Sequence, residues 1–288
     1  MDDIEIGNEN LTCTLRPQLG GAVLGLNFRG KSILRAVDEN LIKTSRQAAN
    51  FALLPYSNRV SNAALQWLGR VYRLAKNNAD EPHSIHGVGW QRPWVVKQRD
   101  KDFLLLSYEH TGDESWPFDF AASQALRAVE NELRHTLSIT NKCNEPTPVG
   151  LGWHPYFIKR ENTVIDFKAK GIWQMGADRL PSKLISSKGL DQKCSELSVD
   201  HCFEGWSGCA TLTDKELTVT VLSNLNYLVV YTSPSMDSVA IEPVSHVNNA
   251  INMANQGNAD YADLGVRVLL PGQSFTADMT IRVEGHQA

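Results

Sequence analysis

The chain has 288 residues, 42% of them apolar and 21% charged, with a formal net charge of -4 and a pI of about 6.1. That charge gives no electrostatic footprint for nucleic acid or for an anionic membrane surface. No apolar run is long enough to span a bilayer, so no membrane partner is expected. The start, Met1-Asp2-Asp3-Ile4-Glu5, is acidic and does not read as a signal peptide. The five cysteines (Cys13, Cys143, Cys194, Cys202 and Cys209) are odd in number and have no CxxC spacing. They read as reduced structural thiols of a cytoplasmic protein, and nothing in their spacing supports a zinc site. The length is large for one domain but within the reach of an all-β sandwich or barrel, and residues 1–288 are read as a single domain.

In chain order the first third reads as short strands. Leu11, Cys13 and Leu15 alternate with Thr12 and Thr14, and Gly20-Gly21 marks a turn before the apolar run Ala22 to Phe28. Arg29-Gly30-Lys31 is a second turn. Residues 37–50 are polar and predict one short helix or a loop. Phe51 to Val60 is apolar and then abruptly polar. It ends by setting Asn58 beside Arg59, an amide and a guanidinium that together can bond several hydroxyls. Gln66 to Leu74 predicts a hairpin turning at Gly69.

His83-Ser84-Ile85-His86-Gly87 predicts a pocket-lining loop in which one histidine bonds a ligand. Its glycine and proline neighbours argue against a helix that would aim both imidazoles at a metal. Trp90 and Trp94 frame it or belong to the core. Phe103 to Tyr108 reads as a buried strand. In Asn131 to Thr140, Leu133, His135, Leu137 and Ile139 share one face, with His135 a satisfied sheet histidine. Residues 160–215 are the least regular, with a turn at Asp178-Arg179-Leu180-Pro181. Strands return at Leu217 to Leu222, Tyr227 to Thr232 and Val239 to Ile241. In the last strand Phe275, Ala277, Met279, Ile281 and Val283 share a face. Many short strands without a long amphipathic helix indicate an all-β, mostly antiparallel sandwich.

Gly150-Leu151-Gly152-Trp153-His154-Pro155-Tyr156-Phe157 is the most informative stretch. The glycines allow the backbone to pass close to something. Pro155 holds His154 extended at a strand end. Trp153, Tyr156 and Phe157 offer flat faces suited to a sugar ring. Histidine titrates nearest neutrality and passes protons in either direction. Glu242, before Pro243, reads as a strand-end carboxylate whose burial raises its pKa toward that of a working base. His154 and Glu242 form an acid/base pair only if the fold joins them. The plain alternatives are a strand-end histidine on a carbonyl and a solvated carboxylate. Asp200, in Val199-Asp200-His201-Cys202-Phe203, reads by itself as a turn or cap residue.

Taken together, these stretches resemble the aldose 1-epimerase (galactose mutarotase) family over nearly the whole chain. Leu54-Pro55-Tyr56-Ser57-Asn58-Arg59-Val60 is similar to its Asn-Arg segment, and Ile85-His86-Gly87 to its Leu-His-Gly segment. Gly152-Trp153-His154-Pro155-Tyr156-Phe157 is similar to its signature histidine motif. Val199 to Phe203 resembles its Asp segment, Ile241-Glu242-Pro243 its Glu-Pro segment, and Leu270-Pro271-Gly272 its closing turn. The resemblance implies a galactose mutarotase-like supersandwich and interconversion of the α and β anomers of a free aldose by ring opening. It assigns Glu242 as base and His154 as acid, about a sugar ring apart, with Asn58, Arg59, His86 and Asp200 holding hydroxyls. It implies a monosaccharide as partner, a monomer or homodimer, and no cofactor or metal.

Val88-Gly89-Trp90 and Val244-Ser245-His246-Val247-Asn248-Asn249 depart from the better-known galactose-acting members, which points to altered specificity around the pocket. Galactose, glucose and other aldoses stay open. A hexose 6-phosphate substrate needs extra cations, for which Arg92 and Arg179 are candidates. A glycosidase needs two carboxylates, which this pair does not supply. A non-catalytic sugar-binding or regulatory module on the same fold needs no proton-transfer pair.

Overall fold

A computed structural model of the chain describes residues 3–257 and 259–286, so Met1 and Asp2 of the acidic start lie outside it. Alternating apolar residues form strands whose inner faces bury against one another in two large antiparallel sheets. One sheet runs, edge to edge, through Val95–Arg99, Phe103–His110, Phe120–Val129, Glu132–Asn141, Ser274–Gly285, Leu217–Ser223, Cys209–Thr213, Val164–Phe167 and Leu190–Lys193. The other runs through Pro181–Ser186, Gly171–Met175, Val199–Glu204, Tyr227–Thr232, Ser238–Val244, Gly152–Trp153 and Ala52–Leu53, with Tyr156–Ile158 also pairing Ser238–Val244. A smaller sheet holds Ile4–Gly7, Leu11–Arg16, Ala22–Phe28 and Lys31–Ser32. Contacts between the large sheets include Phe167 against Phe203, ring centroids 4.8 Å apart, and His135 against Trp153 at 5.5 Å.

The alternating stretches fold as their patterns predict. Leu11, Cys13 and Leu15 are buried while Thr12 and Thr14 are half-buried. Leu133, His135, Leu137 and Ile139 are buried on Glu132–Asn141, and Ala277, Met279, Ile281 and Val283 on the last strand. The hairpin turns through Leu68 and Gly69, both with positive φ. Residues 37–50 hold two 3₁₀ turns, Glu39–Leu41 and Ser45–Gln47. Phe103–His110 is only half-buried, because Leu104 and Leu106 face the core while Phe103 and Leu105 do not. The stretch 160–215 is regular, contrary to expectation, and carries six strands between Val164 and Thr213. Its strands Pro181–Ser186 and Leu190–Lys193 form the edges of the two sheets and are largely exposed, so they carry no apolar alternation. One short α-helix, Ala250–Asn255, is found among the described residues, and none there is long and apolar enough to cross a membrane. All five cysteines are free thiols.

Two buried imidazoles make stability pH-dependent. His135 Nε2 lies 3.0 Å from Gln124 Oε1, and burial pushes its pKa down to about 3. His246 Nε2 accepts the Ser57 N–H at 3.2 Å, and burial lowers its pKa to about 4. The usual histidine value is 6.5, so below it the unfolded chain takes up a proton that the native imidazole refuses. Stability from these groups is therefore complete above pH 6.5 and is lost as pH falls toward 4. Denaturant unfolding is expected to show a loss that begins near pH 6.5 and approaches about 1.4 kcal/mol per pH unit from each imidazole between about pH 5.5 and 4.5. His135→Gln should remove one such contribution from the slope, and an unchanged slope contradicts the assignment.

Candidate active site

The site is built where a strand is interrupted. Ser238–Val244 is continuous and buried at every residue, whereas its neighbour is broken into Gly152–Trp153 and Tyr156–Ile158. Gly152 pairs with Val244 and Tyr156 with Ala240, so the same register on both sides of the break sets His154 opposite Glu242. Pro155 and Pro243 have no N–H to leave unpaired in the gap. Glu242 thus lies within the strand, opposite Val229 on its other flank, and not at a strand end as the sequence suggests. The following residues still pair, which Pro243 permits because its missing donor faces the break.

A Cβ on Gly152 would come within 2.8 Å of Val244 Cγ1 and 2.9 Å of the Pro243 carbonyl oxygen. The glycine is what lets the two strands close up beside the histidine. His154 Nε2 lies 3.3 Å from Glu242 Oε1. They are in contact, not a sugar ring apart. Both side chains are nearly dry, 9% and 2% exposed. Burial, aided by Asp200, raises the Glu242 pKa well above the usual carboxylate range, with Arg59 opposing. Burial, and then the positive field of Arg35, push His154 down to about 3. Burial thus disfavours the charged form of both groups: it pushes the carboxyl toward holding its proton and the imidazole toward the neutral form. Glu242 Oε2 is buried without a hydrogen-bond partner.

His154 is held by aromatic rings. Tyr156 stacks on it at 4.5 Å between centroids and Phe51 packs at 4.9 Å. The Arg35 guanidinium lies 3.5 Å from the Tyr156 ring centre. Trp153 and Phe157 are core residues, 0% and 1% exposed, and offer no face to a sugar. Phe51, Tyr156 and Tyr231 take that place in the lining.

Asn58, Arg59, His86, His154, Asp200 and Glu242 all line one cavity of about 410 Å³, a volume ordinary for small-molecule sites. Asn58 and His86 have φ of 56° and 61°, and their backbones bond each other. The Asn58 N–H also donates to His86 Nδ1 at 3.0 Å. That bond fixes the neutral imidazole with its proton on Nε2, a donor. Burial holds His86 well below the usual histidine pKa. Arg59 Nη1 donates to Asn58 Oδ1 at 2.9 Å. Asp200 is a strand residue opposite Tyr231, not a turn or cap.

His83 is outside the cavity lining. Its Nδ1 accepts the Asn62 N–H, and its Nε2 lies 3.0 Å from the Asp178 carbonyl oxygen. Among the described residues no group of three His, Cys, Asp or Glu side chains could hold a metal. Arg92 is remote, paired with Asp113 at the surface, but Arg179 lines the cavity. The departures at 244–249 lie behind the site. Ser245 Oγ accepts the Leu151 N–H, and His246 packs where a Cβ on Gly150 would stand. Ser245 and His246 buttress the strand break, and the Asn249 N–H donates to the carbonyl oxygen of the lining residue Arg59 at 2.9 Å. Arg46, Glu81 and Tyr231 are lining residues that sequence reasoning misses. Adjacent motif residues flag none of them, since all three reach the cavity from separate segments.

The aldose 1-epimerase family model matches residues 2–282, and the chain belongs to that family. The chain is 29% identical over 282 residues to the uncharacterized protein YphB of Escherichia coli K12, covering 92% of this chain and 93% of that one. A galactose mutarotase-like protein from Clostridium acetobutylicum shares the fold, with a TM-score of 0.84 at 18% identity over 96% of this chain and 93% of that one. So does the GalM/aldose epimerase homologue from C. elegans, with a TM-score of 0.82 at 17% identity over 99% of both chains.

Proposed function

We propose that this protein interconverts the α and β anomers of a free aldose by opening and reclosing the ring. The observation that carries the reading is the buried contact between His154 and Glu242 at 3.3 Å. Ring opening removes a proton from the anomeric hydroxyl and adds one to the ring oxygen. Both oxygens are bonded to the same carbon, so base and acid must converge there, and two groups in contact do so better than two groups a ring apart. The reaction uses the pair with its proton on His154, as carboxylate and imidazolium. Glu242 then takes the anomeric proton while His154 protonates the ring oxygen, and closure on the other face exchanges their roles. Burial keeps bulk water from competing for either proton. Nothing leaves the sugar and no hydride moves, so the proposed reaction calls for no cofactor.

Asn58, Arg59, His86 and Asp200 hold the hydroxyls: the fixed Nε2–H of His86 and the guanidinium donate, and the Asp200 carboxylate accepts. Arg59→Ala is expected to raise KM by about ten- to a hundredfold while leaving kcat within a few-fold, because these bonds form in ground state and transition state alike. Polarimetry that shows the loss in kcat instead gives Arg59 a role in the transition state. Arg179 in the lining favours a phosphorylated sugar as second reading, but its guanidinium is already on Glu81. A non-catalytic sugar binder has no need of a buried His154–Glu242 contact. Polarimetry of freshly dissolved α-D-galactose and α-D-glucose with and without protein tests the reading: accelerated relaxation of optical rotation supports it, and the uncatalysed rate with both sugars removes it.

A further inference from the structure

Glu81 lies in the segment between the strands Arg70–Arg73 and Ser84–Ile85. Both of its carboxylate oxygens are engaged. Arg59 Nε donates to Oε2 and Arg59 Nη2 to Oε1, each at 2.7 Å. Arg179 Nη1 donates to the same Oε1 at 2.8 Å. The Arg59 and Glu81 side chains are 7% and 9% exposed, whereas that of Arg179 is 61% exposed. A bidentate, charge-assisted pair in so dry a place has one geometry and resists exchange with other anions. Arg179 arrives from the tip of a different hairpin, between Gly171–Met175 and Pro181–Ser186, at a φ of 61°. The same tip is held a second time through the Asp178 carbonyl and His83. One carboxylate thus gathers two guanidiniums on one wall of the cavity.

The consequence is electrostatic. Arg46, Arg59 and Arg179 line the cavity, and Asp80, Asp200, Glu81 and Glu242 line it too. Two of the three arginines are on Glu81. Arg46 is exposed and lies over the Trp90 ring, 5.4 Å from its centre. Of these three arginines only Arg46 is off Glu81, so a phosphate on the sugar would compete with Glu81 for Arg59 and Arg179 while facing the carboxylates of Asp80 and Asp200. Hydroxyls meet no such competition, because they accept from a guanidinium that stays on its carboxylate.

We propose that Glu81 determines the substrate class of this site: by locking Arg59 and Arg179 together it admits uncharged aldoses and turns away anionic sugars such as aldose 6-phosphates. The proposal rests on the aldose reading above and deepens it. Glu81 touches no reacting atom; it positions Arg59 and offsets one of the two positive charges that a phosphate would seek.

The test is titration calorimetry of the full chain with glucose, glucose 6-phosphate and inorganic phosphate, with polarimetric kcat/KM for the two sugars in parallel. Wild type is expected to favour glucose. Glu81→Gln should tighten binding of glucose 6-phosphate and of inorganic phosphate by about ten- to a hundredfold, the span of one or two charge-assisted bonds, and should move the kcat/KM ratio the same way. Adding Arg179→Ala to Glu81→Gln should reverse most of the gain. Arg179→Ala alone, at an exposed side chain, keeps the test available if Glu81→Gln does not fold. With Arg179 locked, it should change phosphate affinity less than about twofold, and a tenfold loss overturns the proposal. So does a folded Glu81→Gln that gains affinity for neither anion, or a wild type that binds glucose 6-phosphate as tightly as glucose. Calorimetric gain in a protein that turns over no aldose keeps the clamp and overturns the reaction, so the two failures are distinct.

Discussion

Glu242→Gln is expected to lower kcat for anomer interconversion by about 10²–10⁴-fold, the usual cost of losing a positioned proton-transfer group. Glutamine keeps the shape of the side chain and its place opposite Val229. It can neither take the anomeric proton nor pass one to His154. Sugar affinity should change little, because Arg59, His86 and Asn58 keep their bonds to one another. The fold should also survive, since the carboxyl is buried with one oxygen unpartnered and a neutral amide is no harder to bury. His154→Asn should cost a similar factor, and the double variant little more than either, because the pair acts as one unit. Polarimetric kcat with calorimetric affinity separates these effects. A near-normal kcat in Glu242→Gln means that the carboxylate moves no proton.

Gly152→Ala is expected to cost about 10²-fold in kcat without touching any group that meets the sugar. The new Cβ would stand 2.9 Å from the Pro243 carbonyl oxygen and 2.8 Å from Val244 Cγ1, so the strands must part just before the break. His154 is two residues on and moves with its strand. A displacement of about 1 Å at reacting groups can cost about 10²-fold in rate. Overpacking of this kind also destabilises by about 1–3 kcal/mol. Gly25→Ala is the control, in the strand Ala22–Phe28, where a Cβ would meet nothing within 4 Å. Its activity should match wild type. Equal activity in both variants contradicts the view that strand closure at Gly152 sets the pair.

Half-buried strands were legible because water on one face and core on the other impose a period of two, as in Glu132–Asn141 and Ser274–Gly285. Edge strands such as Leu190–Lys193 were not, since both faces are wet and the pattern vanishes. The site residues in motifs were legible one at a time. Their meeting was not: it depends on a register shared across a strand break, which no single segment encodes. Asp200 and Glu242 looked like turn or strand-end residues because a carboxylate inside a sheet is uncommon. Here both are tolerated because they give onto one cavity, and burial pushes the Glu242 carboxyl toward holding its proton. Glu81 was invisible for a further reason. It is an acidic residue in a polar loop, and only the fold brings Arg59 and Arg179 to it. The aromatic faces were half legible: Tyr156 reaches the cavity while Trp153 and Phe157 turn into the core.

The most direct measurement is two-dimensional exchange NMR on an equilibrated aldose, which reads interconversion of the α and β anomeric protons without a coupled enzyme. Galactose and glucose should be run with wild type, Glu242→Gln and His154→Asn at equal concentration. Strong α–β exchange cross-peaks are expected with wild type on at least one sugar, and cross-peaks near the uncatalysed level with either variant. Exchange that persists undiminished in both variants would contradict the claim that His154 and Glu242 carry the protons.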